Sequence, residues 1–207
     1  MPVRVSKWRA LSVAALCLAV AVGAYTRVIP FSHLPGVWHE PERWTEARAG
    51  WLFRSGQIPP SDVLEVLREK KIDVVLDLTD DSPDAMRDAE HAASETLGIR
   101  YLHLPVEHPA GRVLENLANA VVEMELAHRR GDRVLVHCTY GHRRSATALV
   151  LYARYIEREP KHVAYAEFTR YSSADSQWSD DLIRFLEKHD TELRDKVAAK
   201  LAAAPQS

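Results

Sequence analysis

The sequence predicts an α/β fold, and three observations carry the prediction. Apolar runs of strand type alternate with segments of helical periodicity along most of the chain. The connections between successive strands are long enough for crossovers, which suits mostly parallel pairing. One β-run, Val134 to His137, passes through Cys138 and Gly141 and leaves as an apolar-periodic helix. The expected architecture is a single domain with a central, mostly parallel sheet of about four to five strands flanked by helices, preceded by an N-terminal apolar helix.

Taken in order, the chain opens with Arg4, Lys7 and Arg9, then runs uncharged from Ala10 to Thr26, and carries no acidic residue before Glu40. A basic stretch followed by an apolar core is the pattern of an export signal. Two readings stay open for residues 1–27: a signal peptide cut after Val22-Gly23-Ala24, or an uncleaved signal anchor crossing the membrane through residues 10–26. Apolar character continues through Val28 to Phe31, which favours the anchor. The basic N-terminus then stays in the cytoplasm and the folded domain lies on the non-cytoplasmic side. Cleavage would instead export it free. Residues 28–50, with Pro30, Pro35 and Pro41, read as a linker leading into the domain, and Trp38 and Trp44 as packing residues.

Trp51 to Ser55 reads as a short strand closed by Gly56. Pro59-Pro60-Ser61 signals a helix start, and Val63, Leu64, Val66 and Leu67 give its apolar face. Ile72 to Leu78 is a β-rich run. Asp77, Asp80, Asp81 and Asp84 read as a solvated acidic turn without a calcium-loop pattern. Asp84 to Leu97 is helical and ends at Gly98. Ile99 to Val106 is a third strand, followed by the loop from Glu107 to Gly111. A long helix runs from Val113 to Arg130, and Gly131-Asp132 turns into the strand Val134 to His137. Helices follow over Arg143–Glu157, His162–Tyr171 and Trp178–His189. The domain spans 51–190, and residues 191–207 form an Ala/Lys-rich helical tail that frays.

Composition narrows the function. The 207 residues carry a formal net charge of −2, so nothing favours nucleic acid. The two cysteines are Cys17, in the apolar run, and Cys138, so neither a disulfide framework nor a Cys-rich zinc site is available. No histidine pair has H-E-x-x-H spacing. At Cys138 the strand, tight loop and helix N-terminus make an oxyanion cradle of backbone N–H groups and helix dipole. A Cys at its mouth should have a depressed pKa and act as a thiolate nucleophile.

His137-Cys138, five residues, then Arg144-Ser145, all following a β-run and with Gly141 in the centre, resembles the signature of the cysteine-dependent tyrosine and dual-specificity phosphatases. Leu52-Phe53-Arg54-Ser55-Gly56-Gln57 and Ile72 to Leu78 are similar to segments of its compact bacterial and dual-specificity branch. The similarity covers about Trp51 to Tyr155, and several bacterial members also carry an N-terminal membrane segment. The resemblance implies a dual-specificity phosphatase-like fold and hydrolysis of phosphate esters through a cysteinyl-phosphate, on a phosphorylated protein or a phospholipid. Cys138 would attack phosphorus in line. Arg144 would hold two equatorial oxygens through its planar fork. The N–H groups of Thr139, Tyr140, Gly141, His142, Arg143 and Arg144 would cradle the phosphate. Ser145 would hydrogen-bond the sulfur, or only cap the helix. His137 would orient the loop. His142 and Arg143 add positive charge. No metal or other cofactor is needed for these roles.

The family usually places an acidic proton donor on the loop after the third strand. Here that position holds His108, with Glu107 beside it. Either can protonate a leaving oxygen, or both are solvated loop residues. That departure keeps a second reading open, a phosphate-binding module of the same fold without turnover. A sulfurtransferase loop fits poorly with the Arg144-Ser145 ending.

Overall fold

Val74-Val75-Leu76 and Val134-Leu135-Val136 are uninterrupted apolar runs, the pattern of strands covered on both faces, and they lie side by side at the middle of the sheet. The computed structural model describes residues 41–107, 110–171 and 176–205. Its strands are β1 (Thr45–Arg48), β2 (Leu52–Ser55), β3 (Val74–Asp77), β4 (Arg100–His103) and β5 (Val134–His137). Its helices are α1 (Val63–Glu69), α2 (Ala85–Leu97), α3 (Ala110–Arg130), α4 (Arg144–Tyr155), α5 (Lys161–Tyr171) and α6 (Ser176–Ala203). The five strands are ordered β1-β2-β5-β3-β4. Only β1 is antiparallel to its neighbour. A single α/β domain with a mostly parallel, helix-flanked sheet is therefore what forms.

Register does the positioning. Ser55, His137, Asp77 and His103 are Cα partners across β2, β5, β3 and β4, so all four parallel strands end on one row. Loops leaving that edge converge at the carboxyl end of β5, where α/β sheets bind ligands. Helix α4 leaves from there and is buried from Ser145 to Ala153. Leu117, Val121 and Met124 of α3 complete the core. Helix α2 begins on the Asp84 carboxylate, which accepts from the Met86 N–H at 2.8 Å, and ends on Gly98 at φ 69°.

Three expectations change. The stretch 28–50 contains β1: Thr45–Arg48 lacks an apolar pattern, yet it folds back on β2 across Gly50 at φ 80°. The strand expected over Ile99–Val106 is only Arg100–His103. The tail from residue 191 continues α6 to Ala203, with Leu193 and Val197 buried in the core. Lys196 and Lys200 pair with Glu115 of α3 at 3.3 and 2.5 Å, which lays that last stretch along α3. Trp44 packs as expected, stacked on Phe53. Trp38 and the expected N-terminal helix lie outside the described residues. Among the described residues no helix is long and apolar enough to cross a membrane.

Candidate active site

Cys138 follows the last residue of β5 and is a free thiol, 3% exposed. Its Sγ lies 3.6 Å from the Ser145 Oγ in the first turn of α4. Burial pushes the thiol pKa up. The Ser145 N–H and hydroxyl, with the Arg144 and His137 charges, outweigh burial and hold it below the ordinary value. No side chain caps α4 at Arg143, so the helix meets the loop with its N-terminal end open.

The loop between Cys138 and Arg144 is shaped from outside. Its carbonyls are held by neighbours: Thr139 O accepts from the Gln57 N–H at 3.2 Å, Tyr140 O from Arg43 Nη1 at 3.0 Å, and Gly141 O from Arg54 Nη1. In a trans peptide the C=O and the following N–H point oppositely. Pulling these carbonyls outward therefore leaves the N–H groups of Tyr140 and His142 facing away from those neighbours, while the Gly141 N–H donates to Cys138 O at 3.3 Å and closes the turn. Gly141 sits at φ 63°, and a Cβ there would meet Gly56 N and Ser55 C at 2.6 Å. Only glycine satisfies both the backbone conformation and that approach.

Arg144 reaches back over the loop. Its Nη1 donates to Leu78 O at 3.1 Å and lies 3.5 Å from Asp80 Oδ2, and its Nη2 lies 3.5 Å from Thr139 Oγ1. The Ser82 hydroxyl and N–H, with Arg144 beside them, hold the Asp80 carboxyl below the usual range despite some burial. Around Arg144, then, the structure assembles Thr139, Leu78 and Asp80. The sequence had placed Asp80 only in a solvated turn.

Beside Cys138 lies a buried ionisable group whose members are far apart in the chain. His137 is buried, with Nε2 2.8 Å from Glu90 Oε2 and 3.7 Å from Asp77 Oδ1. Asp77 accepts from the Thr79 N–H at 2.8 Å, the Thr79 hydroxyl at 2.9 Å and the Tyr101 hydroxyl at 2.7 Å. Burial raises the Asp77 pKa, but the His137 charge and these donors hold it below the usual range. Burial likewise lowers the His137 pKa, and Glu90 and Asp77 reverse this and push it up to about 9. Asp77 is thus not part of a solvated turn. It is the last strand residue, on the same face as Val75, and fully buried. Glu90 was missed, and its signal was helical spacing: it shares a buried face of α2 with Ala93 and Ser94. Among the described residues, Asp77, Glu90 and His137 are also the one group close enough to hold a metal ion. An ion pair between Glu90 and His137 accounts for their spacing without one.

Glu107 is exposed, and His108 lies outside the described residues. Asn116 of α3 donates to Pro105 O at 2.6 Å and fixes where their loop begins. At the rim, Tyr140 is 65% exposed, Arg143 is exposed and His142 is half-buried.

The catalytic-domain family of the dual specificity phosphatases matches residues 57–188 of the chain. No curated protein matches the chain in sequence. Solved structures with the same fold include Tk-PTP in its active form, 24% identical with TM-score 0.55, covering 70% of this chain and 97% of that one. TpbA of P. aeruginosa is 21% identical with TM-score 0.58, covering 76% and 91%. PTPMT1 is 17% identical with TM-score 0.57, covering 78% and 99%. TpbA has also been solved in complex with pTyr, and PTPMT1 with PI(5)P.

Proposed function

The chain belongs to the dual specificity phosphatase family, and from that premise we propose that it hydrolyses phosphate monoesters through a phosphate transiently bonded to Cys138. The observation that carries this reading is the outward hold on the loop carbonyls beside Cys138, a buried free thiol 3.6 Å from the Ser145 Oγ and with a depressed pKa. The Cys138 thiolate attacks phosphorus, a sulfur–phosphorus bond forms, and the bond to the ester oxygen breaks. The loop N–H groups and the Arg144 fork bind the equatorial oxygens as charge builds on them. The leaving oxygen takes a proton from the Glu107–His108 loop. Water then attacks the cysteinyl-phosphate and releases inorganic phosphate. Ser145, 3.6 Å from the sulfur, stabilises the departing thiolate.

Support for the substrate class comes from the relatives' ligands, a phosphotyrosine on TpbA and a phosphoinositide on PTPMT1. We propose a phosphorylated protein or phospholipid substrate, and we place the catalytic domain on the non-cytoplasmic side of a membrane anchored through residues 10–26. The test uses the full chain. Phosphate release is measured from an aryl phosphate, a phosphotyrosyl peptide and PI(5)P, with Cys138→Ser alongside and an acid quench to trap covalent phosphate. Turnover that Cys138→Ser abolishes, with phosphate trapped on the native chain, is expected. Binding of phospho-ligands without any turnover would replace this reading with a phosphate-binding module.

A further inference from the structure

The row at the carboxyl edge of the sheet gathers three ionisable groups in one dry place. Asp77 and His137 are register partners on β3 and β5, and Glu90 reaches them from α2. Their side chains are 0%, 0% and 3% exposed. Two carboxyl groups so close and so dry either share a proton or stay ionised together with a cation between them. Asp77 already accepts from Thr79 and Tyr101. Glu90 lacks such donors: among the described residues its Oε1 meets no hydrogen-bond donor, and its Oε2 lies 2.8 Å from His137 Nε2 as a charge contact, both ring nitrogens of His137 being buried without an aligned hydrogen bond.

We propose that Glu90 is a positioning residue for the nucleophile: paired with His137 Nε2, it keeps that ring an imidazolium directly behind Cys138 and so keeps the sulfur ionised without touching it. The inference rests on Cys138 being the nucleophile of the phosphatase reading. Other charged and titratable groups surround the pair: from α2, Arg87 Nη1 lies 3.3 Å from His103 Nε2 and His91 packs edge-on against Tyr101. Asp77 faces His137 from β3, and from β4 Tyr101 and His103 face Asp77 at 2.7 and 3.9 Å. From α4, Arg144 and the uncharged Ser145 act on the sulfur. From β2, Arg54 donates to Gly141 O. The His137 pKa, raised to about 9, accords with a retained proton.

The sign of one substitution separates this role from the alternatives. A carboxylate felt directly by the sulfur opposes the thiolate, so its removal would ease ionisation. A carboxylate acting through the imidazolium favours the thiolate, so its removal hinders ionisation. Full-length protein and Glu90→Gln are treated with iodoacetamide over about pH 5 to 9, a range spanning the ordinary His and Cys pKa values, and the Cys138 peptide is followed by mass spectrometry. Glu90→Gln should be alkylated more slowly at acid pH, by about tenfold for each unit the thiol pKa rises, and should converge with the native protein at alkaline pH. A profile that superimposes on the native one, that moves to lower pH, or that is slowed equally at every pH overturns the proposal.

A second measurement needs no variant. Imidazole nitrogen resonances of the native chain should show His137 doubly protonated at about pH 7.5, one unit above the ordinary His value. A neutral ring overturns the proposal, as does one equivalent of metal in the purified protein, since Nε2 would then be coordinated. Alkylation requires no turnover, so this inference and the phosphatase reading can fail separately.

Discussion

Substituting Gly141 by Ala tests whether the loop is shaped by its surroundings. The added carbon would lie 2.6 Å from Gly56 N and Ser55 C and 2.7 Å from Ser55 O, all backbone atoms. These atoms cannot move aside easily, because β2 is hydrogen-bonded to β1 on one side and β5 on the other, and Gly56 N donates to Glu42 O at 2.8 Å. The left-handed backbone at φ 63° adds a second penalty. A residue with a side chain pays about 1–2 kcal/mol there, and overpacking a tight site costs about 1–3 kcal/mol. Together they reach about 2–5 kcal/mol, a large part of the roughly 5–15 kcal/mol that holds a domain folded. For a domain of this size each kcal/mol lowers the melting temperature by about 2–4 °C. Gly141→Ala should therefore melt about 4–20 °C below the native chain, or escape that cost by displacing the loop and losing oxyanion binding. Circular dichroism melts and vanadate titration read the two outcomes. A variant that keeps both its native melting temperature and its native vanadate affinity would refute the reasoning.

Three further predictions extend the test. Arg144→Lys keeps the charge but loses the fork, and should lower aryl phosphate turnover by on the order of 10²-fold with little change in melting temperature; equal turnover would remove Arg144 from the site. Leu193→Ala empties a fully buried position on α6 and should cost about 2–5 kcal/mol in urea unfolding, whereas a loss under about 0.5 kcal/mol, the range of ordinary surface changes, would make that stretch an appendage. Folding raises His137 from 6.5 to about 9, so its contribution to stability is complete below about pH 6.5 and is lost as the pH rises through about 9. Urea midpoints should accordingly fall across that window in the native chain and not in His137→Gln; parallel slopes would assign the loss to another group.

What could be read before the structure depended on how locally each feature is determined. The strand Val134–His137 and the Cys138-to-Ser145 loop were legible because apolar run, glycine and helix start are adjacent in sequence. Asp84 and Gly98 bracketed α2 for the same reason, as cap chemistry is local. Strand β1 was not legible, since Thr45–Arg48 becomes a strand only by pairing with β2. Asp77 misled because a carboxylate in a sequence reads as solvated, and Glu90 went unmarked within a helix; the burial of both is made possible by a histidine on a strand distant in the chain. The burial of Leu193 and Val197 was not legible in an Ala/Lys-rich tail, because it depends on packing against the rest of the core.

The outward grip on the loop carbonyls has a consequence for variation. Gln57, Arg54 and Arg43 hold the backbone of residues 139–141 from elements outside the loop. Tyr140 takes no part in that grip with its side chain, which stands 65% exposed. The backbone frame of the loop and the side chain it exposes are thus built from separate atoms. Substitution at position 140 should leave that frame intact, while replacing Arg43, Arg54 or Gln57, none of them in the loop, should deform it.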